Sequence, residues 1–308
     1  MEDRLYAWGG MKKDVHGIFA PIREDIVFAY DLDPSSFNDG AVTGTWSRIK
    51  ATGEIHPGFI SATATADDNF IYIFGGAGVE NNNMACTNQL TILSKFGLFK
   101  RLNPSGAIPS PRRDHCSWSY NGDHYHFGGM LQDRSYSNDL TKYSAQNNEF
   151  TSVKTETNGP TPRRSCAVAR LEEVVYLHGG HRDRVHLRDF MALDMTTLQW
   201  TRILDTGFTV GVSDHTISRV SEKEILLIGG NLGSAVSNRL MVFNVDDESW
   251  QEQGCLPPDL VGAEGGLKYH RTVDITTDSG IFVVCIGGNI DVAQEKYAEA
   301  MPIFQFSP

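Results

Sequence analysis

Short apolar runs that close on a pair of glycines recur six times along the chain. They are Leu5 to Trp8 before Gly9 and Gly10, Ile71 to Phe74 before Gly75 and Gly76, and Tyr125 to Phe127 before Gly128 and Gly129. The series continues with Val175 to His178 before Gly179 and Gly180, Leu226 to Ile228 before Gly229 and Gly230, and Val283 to Ile286 before Gly287 and Gly288. Runs this short, rich in β-branched and aromatic residues and bounded by glycine, predict β-strands. The second glycines stand 66, 53, 51, 50 and 58 residues apart, so one supersecondary unit repeats along the chain. After the glycine pair the clearest repeats carry another apolar strand, and then a bulky side chain seven residues on: Tyr143 to Phe150, Leu193 to Trp200, Phe243 to Trp250. A four-stranded unit of this size cannot bury its own faces, so each is expected to stack on its neighbours through large side chains, with Trp46, Trp200 and Trp250 in that role.

These features predict an all-β, six-bladed β-propeller over residues 1–308, with repeats around Gly10, Gly76, Gly129, Gly180, Gly230 and Gly288. The closing blade is expected to be one or two strands short. The first repeat opens at Arg4 with its second strand, and little chain follows the apolar stretch Ile303 to Phe306. A period near 50 is that of a kelch blade, and the whole chain resembles the kelch-repeat proteins. The N-terminal third, from WGGMKKDVHGIF (residues 8–19) through PIREDIVFAYDL (21–32) to GTWSRIKATGEIHPG (44–58), resembles the first blades of the kelch domain-containing proteins one and two. That group acts as substrate receptors of cullin-RING ubiquitin ligases. The resemblance implies a peptide-binding funnel and, in the family, a C-terminal helical segment that docks the ligase adaptor; this chain ends where that segment would begin.

Charge narrows the choice of partner. A formal net charge of −11 sets an average field that repels phosphate backbones, which argues against nucleic acid. The N-terminus MEDRLYAWGG is not a signal peptide, and apolar runs such as Ile281 to Ile286 are too short to span a membrane, so a cytoplasmic or nuclear protein with no membrane contact is expected. Cys86, Cys116, Cys166, Cys255 and Cys285 are odd in number and contain no CxxC, which fits reduced thiols better than disulfides or structural zinc.

Against this acidic background the basic clusters carry information. Two segments open with the same phrase, SPRRDHC with Arg112 and Arg113 and TPRRSC with Arg163 and Arg164. Equivalent positions in successive repeats place these guanidinium forks at one mouth of the ring, where they suit carboxylates; the alternative is a structural hydrogen bond or ion pair for one arginine of each pair. The loop HRDRVHLRD adds His181, Arg182, Arg184, His186 and Arg188, and Arg134 occupies the corresponding loop one repeat earlier. Asp139 and Asp189 are read as turn formers ahead of the third strand. In the receptors that the chain resembles, a peptide's terminal carboxylate is held just after the glycine pairs and at the head of the next inner strand. Carried over by position, those places fall on Met130, His181, His186, Ser213 and Asp214, of which Ser213 keeps the family's residue type. The expected ligand is therefore a protein or peptide, acidic or presenting a C-terminal carboxylate, with cullin-RING ligase components as further partners. His124 with His126, and His178 with His181, lack a third ligand in a compact motif, and no GxSxG, GxxxxGK[ST] or HExxH occurs. No metal, cofactor or enzymatic activity is expected. A cytoskeletal scaffold and a funnel enzyme are the alternative readings.

Overall fold

The computed structural model describes residues 4–13, 19–21, 25–33, 44–57, 60–80, 83–155, 158–204, 206–261, 265–277, 280–288 and 303–306. The chain divides into two compact units, Met1–Lys154 and Thr155–Pro308.

In the first unit, the strands Arg4–Ala7, Ile26–Leu32 and Gly44–Lys50 form a three-stranded antiparallel sheet. A second sheet runs through Thr63–Ala66, Phe70–Phe74, Leu90–Ser94 and Leu98–Leu102, and a third through Cys116–Tyr120, Asp123–Phe127, Leu140–Ser144 and Glu149–Val153. Each of these four-stranded meanders is extended on its outer edge by a two-residue parallel strand, Thr52–Gly53 and Ser105–Gly106 respectively. The turns follow from local chemistry. Asn121 and Gly122 both have positive φ (51° and 76°) and join strands in which Tyr120 faces Asp123, a two-residue hairpin of the type Asn-Gly favours. At the equivalent turn of the second sheet the Asp67 carboxylate accepts from the amides of Asn69 and Phe70, both at 2.8 Å. The second and third sheets stack through aromatic rings, Phe74 against Phe150 (5.3 Å between centroids) and Tyr72 against Tyr143 (6.0 Å).

The second unit repeats the plan. Ala167–Leu171, Val174–His178, Phe190–Asp194 and Gln199–Ile203 form one four-stranded sheet, and Thr216–Arg219, Glu224–Ile228, Arg239–Asn244 and Ser249–Cys255 form the next. A short helix, Pro258–Val261, leads towards a three-stranded sheet of Arg271–Thr277, Gly280–Ile286 and Ile303–Phe306. Phe190 of one sheet packs on Phe243 (4.6 Å) and Trp250 (5.4 Å) of the next.

The seven-residue spacing is hairpin register: Tyr143 faces Phe150, Leu193 faces Trp200 and Phe243 faces Trp250 across the third and fourth strands. All six glycine pairs take positive φ at both residues. Two expectations are corrected. Among the described residues four sheets have the full complement of blade strands while the first and last have three, and the propeller has five blades rather than the six expected. Trp46 is 48% exposed and rests on its cross-strand partner Tyr30 at 5.0 Å, whereas Trp200 and Trp250 are buried as expected.

Gly180 shows why the pairs are glycine. Its φ is +107°, and an added Cβ would stand 2.8 Å from the Arg164 carbonyl oxygen and 3.2 Å from the Cys166 Cβ. Gly180→Ala is expected to lose about 2 kcal/mol from backbone strain and overlap, read as a lower urea midpoint at unchanged m-value. An unchanged midpoint would contradict this geometry.

Candidate functional site

One backbone device organises the heads of the inner strands. In the second unit Ser165, Asp214 and Tyr269 are non-glycine residues in left-handed conformation, with φ of 54°, 55° and 60°. The amide of Asp214 donates to the Ser165 carbonyl (3.2 Å) and that of Tyr269 to the Asp214 carbonyl (3.0 Å), which ties successive repeats together at one level. The residue before each, Arg164, Ser213 and Lys268, is thereby held at equivalent places on three neighbouring repeats. Arg164 exchanges backbone hydrogen bonds with His181 (3.1 and 2.8 Å), and Ser213 with Asn231 (3.0 and 2.7 Å). The same device appears in the first unit, where Asp114 (φ 55°) donates to the Ser61 carbonyl at 3.1 Å and Arg113 precedes it, its guanidinium against the Met84 sulfur.

The loop HRDRVHLRD folds into a small hairpin in which His181 faces His186 and Arg182 faces Val185. Its turn residues, Asp183 and Arg184, both have positive φ (48° and 68°), which places Arg184 at an exposed tip. Arg182 donates to the Asp183 carboxylate at 3.1 Å. The rings of His181 and His186 meet edge to face at 5.0 Å. His186 Nδ1 lies 3.1 Å from Ser213 Oγ, and that hydroxyl donates to Asp214 Oδ2 at 2.7 Å. Burial holds both imidazoles below their ordinary pKa. For His181 the neighbouring Arg164 and His186 add to this while Asp214 and Asp183 oppose it; for His186 Arg164 and Lys268 add and Asp214 opposes.

His181, His186, Ser213, Asp214 and Arg164 thus come together in the second unit, with Arg182 and Arg184 on the adjoining hairpin. Arg134, at φ 69°, is exposed on the corresponding loop of the first unit, and Met130 is buried opposite Arg113. Arg112 and Arg163 require a correction: both are fully buried and their forks are spent within their own repeats. Arg163 grips Asp189 with two bonds (2.6 and 2.7 Å) and donates to the carbonyls of Gly179 (3.0 Å) and Thr161 (2.9 Å). Arg112 donates to Asp139 (3.2 Å) and to the carbonyls of Gly128 (3.0 Å) and Ser110 (3.1 Å). Asp139 and Asp189 therefore serve as ion-pair partners as well as turn residues. Sequence reasoning missed Lys268, Tyr269 and Asn231. The phrase Gly266-Leu267-Lys268-Tyr269-His270 aligns with Gly211-Val212-Ser213-Asp214-His215 once the histidine is used as anchor, and that was the available signal. Among the described residues no three His, Cys, Asp or Glu side chains stand close enough to hold a metal ion, and no helix is long and apolar enough to cross a membrane.

Repeated antiparallel meanders, glycine-paired strand ends and a recurrent left-handed residue at each inner strand head define an all-β propeller. The chain belongs to the kelch-repeat family: the family described as the KLHDC2/KLHL20/DRC7 Kelch-repeats domain matches residues 1–230. Relatives include Kelch domain-containing protein 2 of Bos taurus, 24% identical over 257 residues that cover 73% of this chain and 60% of that protein. Kelch domain-containing protein 10 of Rattus norvegicus is 22% identical over 277 residues, covering 82% of this chain and 67% of that one. The match thus takes in less than two thirds of the bovine relative's length. A solved structure titled "Structure of YjhT" superposes with a TM-score of 0.70 at 15% identity, covering 99% of this chain and 92% of that one, a likeness of fold.

Proposed function

We propose that this chain is a protein-binding kelch propeller that acts by recognition rather than catalysis, and that it serves in the cytosol or nucleus as a substrate-recognition subunit of a cullin-RING ubiquitin ligase. The observation that carries the binding reading is the rim of the second unit, where Arg164, Ser213 and Lys268 are held at one level with His181 and His186 beside them. Cationic groups held on this backbone framework suit the carboxylates of an acidic peptide segment or chain end, and such rims gain affinity through charge-assisted hydrogen bonds. Membership of a family that includes a kelch domain-containing protein 2 relative supports the receptor reading. The ligase assignment draws on the likeness of the N-terminal third to known ligase receptors.

The test is affinity purification of the tagged chain beside Arg164→Gln/Lys268→Met, substitutions that keep the side-chain stems. Client proteins are expected to be lost from the folded variant, while cullin or adaptor subunits co-purify with both. Clients retained by the variant would overturn the rim, and a wild-type chain that brings down no ligase subunit would overturn the ligase role.

A further inference from the structure

The His181–His186 pair has chemistry that the binding reading does not use. The Asp214 carboxylate only accepts hydrogen bonds, and Ser213 has a single hydroxyl proton, which goes to Asp214 Oδ2 at 2.7 Å. Ser213 Oγ must then accept from His186, so Nδ1 of that imidazole carries the proton at the 3.1 Å contact. In its neutral form His186 therefore presents a bare lone pair at Nε2. That edge faces Gly233, where an added Cβ would stand 3.3 Å from Nε2 and 3.2 Å from Cδ2. Glycine thus leaves the ring edge uncovered at an exposed turn. A lone pair in this position repels a carboxylate, and an N–H would bind one.

The charges around the pair set when that exchange occurs. Arg164, at the head of the preceding inner strand, acts on both rings, and Lys268, at the head of the following one, acts on His186. Asp214 acts on both in the opposite sense, and Asp183, in the turn of the same hairpin, acts on His181. Burial and the two cations favour neutral rings while the rim is empty. A bound carboxylate offsets the cations, which raises the affinity of the rings for protons, and by linkage protons raise the affinity for the carboxylate.

We propose that His181 and His186 make this rim a proton-gated anion site, in which protonation turns the Gly233-facing edge of His186 from acceptor to donor and acidic peptides bind more tightly as the pH falls. The proposal rests on the rim being the binding surface for carboxylate-bearing ligands, and adds its regulation. Burial and the neighbouring cations hold both rings below the ordinary imidazole value while the rim is empty, so the response falls on the acid side of pH 6.5.

The probe is a hexaglutamate peptide, titrated by calorimetry at pH 7.5 and 6.0 at constant ionic strength, with folding checked by circular dichroism at both values. The unaltered chain is expected to bind about threefold more tightly at pH 6.0, and to take up protons on binding, read from the dependence of the heat on buffer ionisation enthalpy. His181→Asn/His186→Asn keeps an N–H near Ser213 but cannot titrate, and is expected to bind equally at both pH values. Equal affinity and no proton uptake in the unaltered chain would overturn the gate, as would a variant that retains the full pH dependence. In either case the rim reading survives if Arg164→Gln/Lys268→Met still abolishes binding. No binding by the unaltered chain at either pH would overturn both the gate and the acidic-peptide rim.

Discussion

Replacing Arg163 by alanine is expected to destabilise the second unit by about 3–5 kcal/mol, one of the largest single-residue effects in the chain. The guanidinium is fully buried and holds together three parts of its repeat that are distant in sequence. These are the Thr161 carbonyl before the inner strand, the Gly179 carbonyl at the glycine pair, and the Asp189 carboxylate ahead of the third strand. Alanine leaves the Gly179 carbonyl and a carboxylate only 19% exposed without their donors, in a cavity the size of the lost side chain. Lysine does not rescue the site, since one ammonium cannot reproduce a fork that serves a carboxylate bidentately and a carbonyl behind it. The same change at Arg112 is expected to cost less, about 2 kcal/mol, because its partner Asp139 is 61% exposed and can return to water. Urea unfolding followed by tryptophan fluorescence measures both. An Arg163→Ala midpoint that matches wild type, or an Arg112→Ala loss larger than that of Arg163→Ala, would contradict this account.

Acidification is expected to unfold the protein well above the pH at which its carboxylates protonate. Burial lowers the pKa of His56 to about 4 and of His126, His178 and His270 to about 3, and that of His215 well below its usual value. The unfolded chain takes up protons at these residues near pH 6.5, whereas the folded chain resists until pH 3–4. With folded-state values depressed, the stability they contribute is complete above pH 6.5 and declines as the pH falls towards the folded-state values. Each residue costs about 1.4 kcal/mol per pH unit over that interval, or about 2 kcal/mol between pH 7 and pH 5. The urea midpoint should fall steeply between those two values, and a level midpoint would refute the buried neutral state. His126→Phe isolates one contributor. Its ring sits between Phe74 (4.6 Å) and Phe150 (6.0 Å), and neither nitrogen has a hydrogen-bond partner among the described residues. Phenylalanine fills the same space without titrating, so the variant should lose one proton's worth of slope and be more stable than wild type at pH 5.

What was legible in the chain was whatever depends on local conformation and repetition. Glycine pairs report backbone that only glycine adopts easily, and a spacing of seven between bulky residues reports a hairpin register; both survive reading one residue at a time. Two neighbours in one phrase show the limit. Arg112 and Arg113, like Arg163 and Arg164, are chemically identical and adjacent, yet the first of each pair is buried and the second stays near the surface. Successive residues of extended chain point to opposite sides, and the phrase alone does not say which side is the interior. That was decided by Asp139 and Asp189, 27 and 26 residues further along, which return to meet the buried forks. The site divides in the same way. The histidine-rich loop could be read as a basic mouth, but its hairpin, the contact of its two rings and the arrival of Lys268 from a repeat with no arginine pair depend on the left-handed residues that tie Ser165, Asp214 and Tyr269 together. The sequence by itself determined the repeat, the strands and the stock of cationic groups, because these follow from covalent geometry and side-chain type. Tertiary structure alone decided which cations are spent inside a repeat and which stay nearer the surface, because that depends on which distant carboxylates and carbonyls the folded backbone brings within hydrogen-bond reach.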